Sequence, residues 1–133
     1  MWIYDEKPVD ETELMCYIGF VYLISNRIND KKYIGKKLLK FKRTKVVKGK
    51  KKRVLIDSDW RTYFGSNKVL IEDVATLGES NFNRTILHLC KSKGECNYLE
   101  AKLQFEHGVL EREDYYNEWI LCKIHKSHVK KRN

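Results

Sequence analysis

No apolar run in the chain approaches the ~18 residues that a membrane-spanning helix needs. The N-terminal stretch is acidic and has no apolar h-region, which argues against a secretory signal and for a cytoplasmic protein without a membrane partner. Proline occurs once, as Pro8, and no internal repeat or Pro/Gly/Ser-rich linker divides the chain. The seven glycines are scattered, so there is no glycine-rich phosphate loop, and GxSxG and HExxH are missing too. A small-molecule cofactor is therefore not expected. The cysteines form no CxxC pair, and Cys90, Cys96, Cys122 and His125 match no zinc-finger or ribbon spacing. In a reducing compartment they read as free thiols acting as small buried apolar residues. Acidic residues are absent from the whole stretch 31–53.

What is present is a 133-residue chain, enough for one core, with 42% hydrophobic and 12% aromatic residues. Its net charge of +9 is unevenly spread. Residues 1–16 carry −4, residues 17–30 zero, residues 31–53 carry +13, residues 54–122 carry −5 and residues 123–133 carry +5. One intense basic segment and one basic tail on an otherwise acidic chain point to a polyanionic partner, nucleic acid above all.

The pattern divides the chain into an acidic arm at 1–16, a domain at 17–124 and a basic tail at 125–133. Residues 17–24 are an unbroken apolar and aromatic run, suited to a buried strand. Asn29-Asp30 supplies a turn into a second strand at 32–35. Residues 36–56 fit either a basic β-hairpin turning at KGKKK or a helix and a basic loop, and the hairpin is preferred. Asp57 to Asp59 offer N-cap chemistry for a short turn through Trp60 and Tyr63. Ser66 is placed as the cap of a helix at 67–77, with Leu70, Ile71, Val74 and Leu77 at helical spacing and Gly78 as its stop. Residues 82–90 read as a third strand. Ser92 and Glu95 form a capping-box pair for a helix at 93–107, with Cys96, Leu99 and Leu103 on its apolar side. Residues 115–124 end the domain as a short strand or an extended packed segment. The expected class is α+β around a small antiparallel sheet.

Single residues here carry little alone. Tyr22 and Tyr33 would ordinarily be core residues of a hairpin. Arg43 would ordinarily be one solvated charge in a basic run. Glu100 borders the buried stripe of its helix, where an acid faces a cleft or pairs with a lysine; one carboxylate is enough for a hydrated Mg²⁺.

Taken in order, these residues resemble the GIY-YIG nuclease family. Phe20-Val21-Tyr22 stands where the family has Gly-Ile-Tyr and keeps the tyrosine, while Tyr33-Ile34-Gly35 matches the second element outright. Lys36 follows the glycine as in many members, and Arg43 falls at the spacing of the family arginine. Glu100, in YLEAK, matches the metal-binding glutamate, and Asn117, in YYN, the closing asparagine. WRTYFGSNK followed by NFNRTIL is similar to small stand-alone bacteriophage versions. The resemblance covers 17–120, and the departure is a basic insertion at about 42–56.

The resemblance implies a three-stranded antiparallel sheet flanked by helices and divalent-metal-dependent hydrolysis of DNA phosphodiesters. In that scheme Glu100 holds Mg²⁺ or Mn²⁺, and Tyr33 acts as base with Tyr22 orienting it or the water, or the two reversed. Proximity to lysines and a metal would lower the tyrosine pKa for this task. Lys36 and Arg43 would neutralise the transition state, and Asn117 and the Tyr63 hydroxyl would support it. The basic segment supplies a DNA-binding set: Lys37, Lys40, Lys42, Lys45, Lys48, Lys50, Lys51, Lys52 and Arg53. A homodimer is one way to gain specificity in so short a chain. The alternative is a non-catalytic nucleic-acid-binding protein that uses 31–53, with tyrosines and Trp60 for packing or stacking. A third reading is a regulator that binds a protein through the acidic arm.

Overall fold

A computed structural model describes residues 1–129. Its elements are β1 (Trp2–Tyr4), β2 (Lys7–Pro8), β3 (Gly19–Asn26), β4 (Lys32–Leu38), β5 (Lys40–Val47), β6 (Lys50–Asp57), α1 (Lys68–Leu77), β7 (Phe82–Cys90) and α2 (Lys93–Glu106). The main sheet has five strands in the order β2-β1-β7-β3-β4, and β5 and β6 form a separate two-stranded sheet. The class is α+β, but the sheet is mixed and larger than the three antiparallel strands expected, because β1 joins it parallel to β7. Residues 1–16 are thus no peripheral arm. Trp2 is 2% exposed, and its indole N–H donates to the Trp60 carbonyl at 2.8 Å.

β3 is apolar without a break because it is hydrogen-bonded on both sides, by β4 and β7, and covered on both faces. Phe20, Tyr22 and Ile24 point into one core with Trp2, Trp60, Leu70, Val74 and Tyr116. Val21 points into the other with Ile34, Cys90, Cys96, Leu99 and Val109, under α2. Each such buried apolar side chain contributes about 1.5–3 kcal/mol. Against β7 the register skips Leu87 between Val21 and Tyr22. This bulge sharpens the local twist where β3 presents Tyr22.

The turn after β3 is set by Asn26 and Asn29, which accept from the N–H groups of Ile28 and Lys31 at 2.9 Å each. β5 and β6 turn at Lys48-Gly49, both at positive φ, as a two-residue hairpin requires. α1 is capped by Asn67, whose side chain accepts from Leu70 N–H, and not by Ser66. Of its spaced apolar residues Ile71 faces solvent. Ser92 caps α2 as expected, while Glu95 reaches the Lys91 N–H. Asp59 makes no side-chain cap; Ser58 Oγ accepts from Trp60 N–H instead.

All four cysteines are free; Cys90 and Cys96 are buried, whereas Cys16 and Cys122 are exposed. Residues 126–129 form a single helical turn with His128 against Gly94, so this part of the tail is packed on α2. Residues 130–133 of that tail lie outside the described residues. No helix among the described residues is long and apolar enough to cross a membrane.

Candidate active site

β4 ends the main sheet, so the outer N–H and C=O groups of every second residue need partners from elsewhere. At Lys32 the N–H donates to the Asp114 carbonyl and the C=O accepts from Tyr116 N–H. At Ile34 the N–H donates to Asn117 Oδ1 at 3.1 Å, and the C=O accepts from Asn117 Nδ2 at 2.8 Å and Gln104 Nε2 at 2.9 Å. At Lys36 the backbone N–H faces the Glu100 carboxylate. Past Ile34 the covering chain moves off and the edge opens into a cleft of about 230 Å³. Tyr22, Tyr33, Lys36, Ser66, Glu100 and Gln104 line it, with Trp119 and Leu121 at its side. A larger groove of about 510 Å³ runs along α1, but none of the tyrosine pair, Lys36 or Glu100 lines it.

Gly35 makes the cleft possible. It pairs directly with Tyr22, so both lie on one face of the sheet. A Cβ at position 35 would lie 2.5 Å from Tyr22 Oη and 2.9 Å from Tyr33 Cε2. Its absence lets the Tyr22 hydroxyl cross over β4 towards the open edge. The Tyr22 ring is held by Trp2, Phe20, Tyr33 and Tyr63, with centroids 5.6, 6.2, 6.1 and 5.9 Å away. Tyr63 in turn is placed by Arg84, a buried guanidinium that donates to the Arg61 and Tyr63 carbonyls and lies over the Trp2 and Phe64 rings.

The titrating groups are perturbed in a consistent way. Burial pushes the Tyr22 phenol well up, helped by Tyr63, Tyr33 and Glu100. Burial also raises Tyr33, against a smaller pull from its 3.1 Å hydrogen bond with Ser66 Oγ. The fold alone therefore moves both phenols upward, opposite in direction to the lowering expected from nearby lysines and a metal. Glu100 is raised by burial, and the charge and backbone N–H of Lys36 pull it part of the way back. Lys36 Nζ itself donates to Asn97 Oδ1.

This gives a prediction. The folded Glu100 pKa lies above its unfolded value near ~4.3. The metal-free native state therefore binds the proton more tightly, and stability falls as pH rises from the ordinary glutamate value through the raised one. Glu100→Gln should melt at a higher temperature than wild type at pH 7.5 in EDTA, with the gap closing near pH 4. A variant that melts lower at pH 7.5 would show that Glu100 sits in no desolvated cleft.

Tyr22 Oη and Gln104 Oε1 are the two buried side-chain polar atoms without a hydrogen-bond partner among the described residues, and both line this cleft. A buried unpaired polar atom costs about 1–3 kcal/mol, so two beside one half-buried carboxylate mark a place built for something other than the resting fold. No cluster of three or more His, Cys, Asp or Glu exists among the described residues. The donors suit a hydrated Mg²⁺ or Mn²⁺ and not zinc, because Mg²⁺ keeps most of its waters and is held by one or two carboxylates and substrate phosphate.

Of the residues singled out in the sequence, Tyr22, Tyr33, Lys36 and Glu100 come together, with Tyr63 against Tyr22. Asn117 lies beside the cleft, with both ends of its amide engaged on Ile34, so it closes the strand edge. Arg43 is not brought into the cleft. It sits on β5 opposite Val54, exposed, with its guanidinium over Phe41. Lys37 pairs with Asp59 at 2.5 Å and lies 4.0 Å over the Tyr63 ring, so it is spent inside the fold. Lys42, Lys45, Lys48, Lys50, Lys51, Lys52 and Arg53 are exposed on the hairpin, and Lys40 begins it half-buried. Ser66, Asn97, Gln104 and Trp119 were missed. Ser66 read as a helix cap, and the others carry no local signal.

A family model described as "Putative endonuclease segE, GIY-YIG domain" matches residues 2–120. The phage T4 (Enterobacteria phage T4) protein described as "Putative endonuclease segE" is 32% identical over 98 residues, 74% of this chain and 39% of its own length. The chain thus spans about two fifths of that relative. No solved structure matches. With the domain model covering nearly the whole chain and the tyrosine pair, Gly35, Lys36 and Glu100 gathered at one strand edge, the chain belongs to the segE-type GIY-YIG endonuclease family.

Proposed function

We propose that the chain hydrolyses DNA phosphodiester bonds at the open edge of β4, using one divalent cation held by Glu100. The observation that carries this reading is the pair of unpartnered buried polar atoms beside the only carboxylate of the cleft. When bound, the cation supplies positive charge to the phosphoryl oxygens and acidifies water. Tyr33 holds the attacking water: it is half-buried and opens to the cleft, with Ser66 fixing the direction of its hydroxyl. Tyr22 is fully buried and stands behind it as the orienting group. Lys36 places a positive charge where the phosphorane charge develops. The water oxygen bonds phosphorus, one P–O ester bond breaks, and the proton that the water loses passes through solvent to the leaving oxygen. One cleft cuts one strand, and a double-strand break calls for a second copy.

The hairpin supplies the grip on DNA. By strand alternation Arg43, Lys45, Lys50 and Lys52 share one face and Lys40, Lys42, Lys51 and Arg53 the other, with Lys48 at the tip. Lys45 stands directly opposite Lys52, a like-charge pair that weakens an isolated hairpin and is relieved by phosphate. A two-stranded ribbon of this width fits the major groove. Arg43 belongs with this set in position, so its role here is contact with the DNA backbone.

The test is cleavage and binding of plasmid DNA across a salt series, for wild type and for Lys50→Ala/Lys51→Ala/Lys52→Ala. Wild type should cut in Mg²⁺ and lose about 10³–10⁵ in affinity between 50 and 200 mM salt if six to ten phosphates are contacted. The triple variant should bind more weakly, with a salt slope shallower by up to about 2.7, at roughly 0.9 per phosphate. An unchanged slope removes the hairpin from the DNA interface.

A further inference from the structure

The three tryptophans of the chain serve different ends. Trp2 and Trp60 are core residues, 2% and 5% exposed. Trp119 is 78% exposed and Leu121 77%, yet both stand at the side of the cleft that holds Tyr22, Tyr33, Lys36 and Glu100. The position is built. Tyr116 N–H donates to the Lys32 carbonyl at 2.7 Å, and the Asn117 amide grips Ile34 on both sides, so the chain is pinned to β4 two residues before Trp119. Tyr116 is pinned again through its hydroxyl, which accepts from Asn26 Nδ2 and donates to Asp73 Oδ2. One residue after Trp119, Ile120 is half-buried and packs against the core cluster that includes Cys96 and Leu99 of α2. Ile120 is turned inward, whereas Trp119 and Leu121 stand exposed at the side of the cleft.

An open indole next to catalytic groups asks for an apolar, flat partner. The charges of the chain say which. Lys36 shares the cleft, and the hairpin carries nine Lys/Arg from position 40 to 53 with no acid among them. Cations that track phosphates together with an aromatic platform are the recipe for holding a nucleobase by stacking.

We propose that Trp119 stacks on a nucleobase beside the phosphate being cut, with Leu121 shielding its outer edge, so that the cleft favours DNA in which that base is unpaired: a bulge, a flap or a single strand. The location of the phosphate rests on the hydrolytic reading above. In a perfect duplex the same face of the base is covered by its neighbours, and uncovering it costs unstacking free energy.

The test measures binding in EDTA, where no cleavage intrudes. Wild type, Trp119→Ala, Trp119→Leu and Trp119→Phe are titrated with a 15-nucleotide single strand, a perfect duplex and the same duplex with one bulged base, reading anisotropy and tryptophan fluorescence. Wild type should prefer the single strand and the bulge, and its fluorescence should be quenched on binding them. The alanine and leucine variants should lose about 5- to 150-fold on those two DNAs, the span of one base–aromatic stack, and little on the duplex. Phenylalanine should retain part. Equal affinity of Trp119→Ala and wild type for all three overturns the proposal. So does a leucine variant as good as wild type, a loss equal on all three DNAs, or a change confined to self-association in sedimentation. A wild type that discriminates through Trp119 but never cuts DNA would sink the hydrolytic reading and leave stacking in place. A wild type that cuts but gains nothing from Trp119 would do the reverse.

Discussion

Glu100→Ala is expected to lower the rate of DNA cleavage by at least about 10²–10³-fold, the loss produced when one transition-state stabilising group is removed, while leaving the fold and DNA binding in place. Glu100 is the one carboxylate lining the cleft, so no neighbour can take over the cation. The helix that carries it is fastened elsewhere: Ser92 caps its start, and Cys96 and Leu99 bury its inner side. Position 100 is at the boundary of that stripe, so alanine there opens no cavity in the core. The hairpin proposed to grip DNA is on separate strands, away from Glu100. Single-turnover rates set beside anisotropy separate the two quantities. Cleavage within tenfold of wild type would remove Glu100 from the site.

Gly35→Ala should damage both the fold and the activity. The added methyl would stand 2.5 Å from Tyr22 Oη, 2.7 Å from Tyr22 Cζ and 2.9 Å from Tyr33 Cε2. Contacts under 3 Å demand movement, and the Tyr22 ring has nowhere to go, with Trp2 and Phe20 on one side and Tyr63 on another. Overpacking of this kind costs about 1–3 kcal/mol, read as a lower denaturation midpoint. Cleavage should fall further, by about 10²-fold, since a displacement near 1 Å of a positioning group has that effect. Adding Tyr22→Phe to Gly35→Ala removes the 2.5 Å contact and should restore part of the stability without restoring cleavage. If Gly35→Ala is as stable and as active as wild type, the crossing of Tyr22 over β4 is wrong.

The parts of this arrangement legible in the sequence are those encoded over short distances. The unbroken run in β3, the spaced apolar residues of α1 and the Ser92 cap of α2 announce their elements locally. β1 does not: three residues, Trp2–Tyr4, pair in parallel with residues more than 80 positions away, and only the finished sheet gives Trp2 its place. The same contrast runs through the site. Tyr22, Tyr33 and Glu100 were singled out because a resemblance supplied their expected roles, and the sheet register and α2 bring them together. Arg43 was placed by counting from Tyr33, but a count holds only if the intervening chain takes the family path. Here β4 runs on into the hairpin and carries Arg43 away from the cleft. Asn117 was singled out by the resemblance, but its hydrogen bonds to an edge strand cannot be foreseen from a tripeptide. Trp119 gave no signal because nothing local tells which side chain of that segment packs; Ile120 does and Trp119 stays exposed.

The central claim is that this cleft cuts DNA with one cation on Glu100. The most direct measurement is nicking of supercoiled plasmid by the purified chain over a Mg²⁺ titration, wild type beside Glu100→Ala, with EDTA added to stop the reaction. Wild type should convert supercoiled to nicked DNA saturably and EDTA-reversibly, with Glu100→Ala binding the plasmid but leaving it intact. Tight binding by wild type with no cleavage at any Mg²⁺ or Mn²⁺ concentration, or cleavage by both proteins alike, would contradict it.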